Sequence, residues 1–140
     1  MFKKGIYLLV AILLFSCEKE GEFTKIEAQE QVVIDPNEEL VELYAGTFTP
    51  TSGINVTGQA KLFQQGTTRY VSLENFTISD GPDLKVYLST SASPDTFVNL
   101  GNLTSATTYA IPAQVDLTLY NYVLIHCQQY NHLYAIASLN

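Results

Sequence analysis

From Tyr44 to Leu139 strand-forming residues alternate with turn residues, and no stretch reads as a helix longer than one turn. Leu84, Val86 and Leu88 fall on one side of an extended segment, so Leu84–Ser89 is predicted to bury one face. The same period predicts strands over Tyr44–Thr49, Ile54–Gln64, Arg69–Ile78, Phe97–Leu103, Thr107–Ile111, Tyr122–Cys127 and Leu133–Leu139. Within Arg69–Ile78, Tyr70, Ser72, Glu74 and Phe76 share one side, and Val71, Leu73 and Asn75 the other. Turn signals separate these segments: Pro50–Gly53, Gln65-Gly66-Thr67, and Asp80-Gly81-Pro82-Asp83, where Gly frees φ and Pro fixes it. Ala113–Tyr120 has room for a single helical turn. About eight short strands at regular spacing predict an all-β domain, a β-sandwich or flattened barrel of antiparallel strands. A domain of this size buries a core without disulfides.

The start of the chain carries an address. It opens MFKKGIYLLVAILLFSCEKEGE, with Lys3 and Lys4 ahead of an apolar run, Gly5–Phe15, that is too short to span a bilayer. Leu14-Phe15-Ser16-Cys17 resembles the lipobox of bacterial lipoproteins. That resemblance implies removal of residues 1–16 as a signal peptide and a diacylglycerol thioether on Cys17. With an added N-acyl chain such as palmitate, the anchor holds, since stable attachment takes about two chains. The lipid bilayer would then be a partner through Cys17. The domain would lie outside the cytoplasm of a bacterium, periplasmic or on the cell surface. The alternative is an ordinary secretory leader, or an N-terminal anchor, that happens to end in cysteine.

Charge divides what remains. The formal charge is −7, and Glu18–Glu42 alone holds nine acids against two lysines. Leu43–Asn140 holds five acids and three bases. Residues 17–42 are therefore predicted to be an acidic, solvated tether and 43–140 the folded domain. The tether's acids could also act as a sorting signal. So few Lys and Arg exclude nucleic-acid binding.

With Cys17 lipidated, Cys127 has no partner in the chain for a disulfide. In Val123-Leu-Ile-His-Cys-Gln-Gln-Tyr130, Val123, Ile125 and Cys127 share an apolar face, while His126 and Gln128 share the other. Cys127 is predicted to point inward beside Ala135 and Ala137, as a small hydrophobe. The histidines read as ordinary residues of a polar face. Cys127 and His132 have the C-x4-H spacing of a cupredoxin copper loop, but the second histidine and the axial methionine of that site are missing. No metal site is predicted. Asp80 and Asp83 lack the alternating oxygen ligands of a calcium loop, so Asp80, Gly81, Pro82 and Asp83 are read as a structural turn. There is no CxxCH motif for haem, no G-x-S-x-G and no H-E-x-x-H. No cofactor is evident, haem held by the two histidines His126 and His132 stays open without a motif for it, and no catalytic residue is assigned.

Read whole, LENFTISDGPDLKVYLS, VNLGNL and YAIPAQVDLTLYNYVLIHCQQYNHLYAIASL resemble the DM-thirteen domain, a family of animal and bacterial envelope proteins. GTFTPTSGINVTGQAKLF resembles the family's opening, and the likeness spans about Ala45–Leu139. It implies a compact all-β domain with a part in electron transfer, because relatives are fused to DOMON domains and b-type cytochromes. Cys127 occupies the place of the family's shared cysteine, which implies a redox or ligand role for it and an envelope redox partner. His126 and His132 depart from the family, which has an aromatic and an apolar residue there, and Ile54 or Asn55 stands where a histidine is frequent. No family metal site is carried onto these residues. The competing expectation is a binding or structural module of the envelope, with contacts from Tyr120, Tyr122, Tyr130 and Tyr134.

Overall fold

The computed structural model describes residues 35–140. The predicted signal peptide, Cys17 and the predicted tether up to residue 34 lie outside the described residues. The alternating pattern forms β1 (Leu40–Pro50), β2 (Val56–Gln65), β3 (Thr68–Ile78), β4 (Leu84–Ser89), β5 (Phe97–Asn102), β6 (Thr108–Ala110), β7 (Tyr122–Cys127) and β8 (His132–Ser138). The domain is all-β, as the alternation predicts. Ala113–Tyr120 holds turns rather than a helix, with Tyr120 N–H donating to the Asp116 carbonyl at 3.0 Å.

The eight strands form one antiparallel sheet in the order β5-β4-β7-β8-β1-β2-β3-β6. It curls into a flattened, nearly closed barrel, so the edge strands β5 and β6 approach each other. Strand β1 turns the corner. Its first part, Leu40–Thr47, pairs with β2, and its last part, Phe48–Pro50, pairs with β8. At the corner Gly46 meets the backbone of β8, where a Cβ would lie 2.1 Å from the Ser138 carbonyl oxygen. No side chain fits at that crossing.

The core lies between the two halves of the curled sheet. Phe48, Ala60, Leu62, Val71, Leu73, Val86, Leu88, Val123, Ile125 and Ala135 alternate along their strands to fill it. One phase expectation is corrected. Phe76 does not share a side with Tyr70, Ser72 and Glu74; it packs into the core against Phe48, with ring centroids 5.1 Å apart. The register of β2 on β3 shifts between Thr57 and Gln59, Asn75 has φ 51° and Gly58 has φ 103°. This bulge inserts one residue and flips every later side chain.

The chain also docks earlier than the predicted boundary of strand structure at Tyr44. Gln65, buried at the end of β2, binds the turn that precedes β1. Its Oε1 accepts from Asp35 N–H at 2.7 Å, and its Nε2 donates to the Asp35 carbonyl at 2.6 Å and the Glu38 carbonyl at 3.1 Å.

Candidate functional site

Cys127 is the last residue of β7. Its register partners are Leu84 on β4 and His132 on β8. The thiol belongs to the apolar cluster and the residue is 1% exposed. Two turns close this end of the barrel. Asp80–Asp83 carries the chain from β3 to β4, and Gln128–Asn131 joins β7 to β8. They are tied together, since Gln128 N–H donates to the Asp83 carbonyl at 3.0 Å. Tyr134 adds a second tie by donating its hydroxyl to the Asp80 carbonyl at 3.3 Å. Gly81 is pressed against both neighbours, and a Cβ there would lie 2.8 Å from Leu84 Cδ2 and from the Tyr134 hydroxyl. Asp80, Gly81, Pro82 and Asp83 are thus the connection between the two halves of the sheet and the cover of the Cys127 end.

An open cleft of about 500 Å³ lies along this turn, lined by residues 78–84 and 102–104. Leu84 is both a wall of the cleft and the cross-strand neighbour of Cys127. Lys85 stands beside the cleft, its ammonium 3.0 Å from the Asp83 carboxylate and bonded to Asn102 Oδ1.

His126 is not on a solvated polar face. It is 4% exposed, outside the core cluster, with Tyr87 of the neighbouring strand β4 against it. Its imidazole stacks on Tyr87 at 5.3 Å between centroids, and Tyr87 stacks on Phe97 at 4.0 Å. The three rings stand across β7, β4 and β5 as a cross-strand ladder. His126 Nε2 lies 3.1 Å from Asn131 Oδ1. That oxygen only accepts, so Nε2 carries the hydrogen and Nδ1 the lone pair. Nδ1 is buried and has no partner among the described residues. Burial pushes the His126 pKa down, and the nearby His132 adds to the shift; the Asn131 bond opposes it. Burial also raises the Tyr87 phenol, with the Asp83 carboxylate adding to it.

The C-x4-H spacing of Cys127 and His132 is hairpin geometry, because the two residues face each other across the β7–β8 pair. His132 is exposed at the rim and lies edge-on to Tyr134, with centroids 4.9 Å apart. Among the described residues no three His, Cys, Asp or Glu side chains converge as metal ligands. Cys127 lies within the apolar cluster, and its polar register partner, His132, is exposed at the rim, so the described residues bring no converging set of donors to the thiol that would fit a resident metal. The four late tyrosines do not form one exposed group either. Tyr130 is exposed at the turn tip, Tyr134 is in the core, and Tyr120 and Tyr122 are half-buried.

Sequence reasoning missed the burial of His126 and the roles of Asn131 and Gln65. Asn131 has φ 51°, and an asparagine closing a short polar turn between strands is the signal that could have found it.

The model of the family described as Electron transfer DM13 matches residues 47–139, a span that includes Cys127, His126 and both closing turns. No curated protein and no solved structure matches the chain.

Proposed function

The chain belongs to the DM13 electron-transfer family, and from that premise we propose that it is a lipid-anchored redox module of a bacterial envelope, centred on Cys127. The family match across almost the whole barrel carries this reading. The lipobox-like Leu14–Cys17 supports the anchor at Cys17 and placement outside the cytoplasm, where thiol–disulfide chemistry is available.

A lone thiol needs an external partner. The Cys127 thiolate attacks one sulfur of a partner disulfide, so a mixed disulfide forms and one partner thiol leaves with a proton. A thiol of a second envelope protein then attacks the Cys127 sulfur and releases the first partner as a dithiol, and a neighbouring thiol of that second protein displaces Cys127 and closes its own disulfide. The net result moves two electrons and two protons from the second protein's dithiol to the first partner's disulfide, with Cys127 restored. Because Cys127 is 1% exposed, this exchange requires the two closing turns to part.

The test is trapping in native envelopes. Cells are quenched in acid, free thiols are alkylated, and the full chain is followed on non-reducing gels. A higher-mass adduct that dithiothreitol dissolves, and that is absent from Cys127→Ser, supports the redox module. Identical patterns for the two proteins sink it. The second reading, a non-catalytic binding or structural module, is favoured by the packing of Cys127 among core side chains, and the same identical patterns would bring it forward.

A further inference from the structure

We propose that His126 is a proton-operated latch on the turn between β7 and β8, and that its protonation in mildly acidic surroundings opens the Cys127 end of the barrel. The inference builds on Cys127 as the functional thiol, and its test reads exposure alone, so either idea can fail without the other.

The neutral imidazole performs two tasks. Its Nε2–H holds Asn131, whose left-handed backbone closes the turn, through the 3.1 Å bond to Oδ1. Its flat face completes the stack on Tyr87. Adding a proton puts an N–H on Nδ1, which lies buried with no acceptor among the described residues. A buried donor without a partner is costly, and a buried charge more so.

The charged and titratable groups around the ring favour the neutral form. From β4, Lys85 is its direct register partner and carries the same sign, while Asp83 is already engaged by Lys85. Tyr87 contributes a phenol that burial keeps neutral. From β8, Leu133 is the register partner, and the His132 side chain acts against a positive charge on His126. From the turn, Asn131 brings an uncharged amide. From β5, Phe97 brings an uncharged ring. No free carboxylate among these groups meets the imidazolium, so the cheapest response is for the ring to leave its slot.

Leaving breaks the Asn131 bond and loosens the turn. The turn is tied to Asp83 by Gln128 N–H, and Gln128 is the residue next to Cys127. Release of residues 128–131 therefore frees the cover of the thiol, while the core strands keep their ladders.

The test uses the full chain carrying Cys17→Ser, so that Cys127 is the only thiol. Labelling by 4,4′-dithiodipyridine, which reacts with thiols in acid as well as at neutral pH, is measured relative to glutathione under the same conditions. A single coupled proton changes an opening equilibrium by up to about tenfold per pH unit, and we expect relative labelling to rise about tenfold from about pH 7.5 to about pH 5. Far-UV circular dichroism should stay native across that range. In His126→Phe, which keeps a ring in the stack and cannot titrate, the rise should vanish. In Asn131→Gly, which accepts the left-handed backbone and removes the latch's acceptor, labelling should already be fast at neutral pH. A flat profile in the wild type, a rise that persists in His126→Phe, loss of the native circular dichroism along with the rise, or full protection in Asn131→Gly would each overturn the latch. Should His126→Phe not fold, Asn131→Gly and hydrogen exchange at the Gln128 and Asn131 amides in the wild type decide it.

Discussion

Gln65 holds Asp35 from both sides, accepting its N–H at 2.7 Å and donating to its carbonyl at 2.6 Å. One primary amide thus replaces a pair of sheet hydrogen bonds and fixes where the chain enters the barrel. Replacing Gln65 by Ala leaves three backbone groups without their partners. We expect a loss of about 1–3 kcal/mol in urea unfolding. We also expect limited proteolysis to cut nearer to β1 than in the wild type. Unchanged cleavage sites would show that residues 35–38 are held by other contacts.

Gly46 marks the crossing of β1 over β8, with the Ser138 backbone where a side chain would be. Gly46→Ala forces the two strands apart at the corner. The expected loss is about 3 kcal/mol or more, read as a fall in the thermal midpoint, because backbone on one side and backbone on the other have nowhere to move.

Cys127 is buried in the apolar core cluster, so the two smallest replacements should rank by polarity. Cys127→Ala removes a sulfur and leaves a small void, for a loss of about 1–2 kcal/mol. Cys127→Ser adds an unpaired hydroxyl to the core, and its loss should be larger, about 2–3 kcal/mol. Denaturant midpoints of the two variants give the order. A serine variant as stable as the alanine variant would mean that the hydroxyl finds a partner that the thiol does not use.

His126 sets a pH dependence whose sign is fixed. Its folded pKa is below the unfolded value, so the unfolded chain takes up the proton first as pH falls. Stability that is complete above about pH 6.5, the ordinary histidine value, should decline below it until the folded protein also binds the proton. Urea midpoints of wild type and His126→Phe should therefore converge or cross on acidification. Parallel curves would assign any acid loss to other groups.

The strands were legible because the period-two pattern within one segment decides which face is apolar. Val86 and Leu88 of β4, and Val123, Ile125 and Cys127 of β7, were placed inward by that rule alone. It failed where one inserted residue changes the phase. Phe76 was assigned to the wrong side, although Gly58 in a strand pattern is a recognised mark of a bulge. It failed again for His126, for a different reason. Tyr87, which lies against the His126 ring, belongs to β4, and alternation along β7 carries no information about neighbours on other strands. Gln65 reads in sequence as a hairpin residue, and its buried task appears only when the segment before β1 is folded against it. Asp80–Asp83 was legible as a turn. That it spans between sheet halves and covers Cys127 follows from the strand order, which local signals do not encode.

The double allegiance of β1 has a consequence for assembly. Its first residues bond to β2 next door, but Phe48 must wait for Ala137 on β8. A chain made amino-end first delivers β1, β2 and β3 as a meander with one face uncovered. The corner at Gly46 closes only when β8, last in chain order, reaches the far side. Until then the apolar face of the meander stays uncovered, and the pairing of the first and last strands is the contact of largest sequence separation that closure has to make.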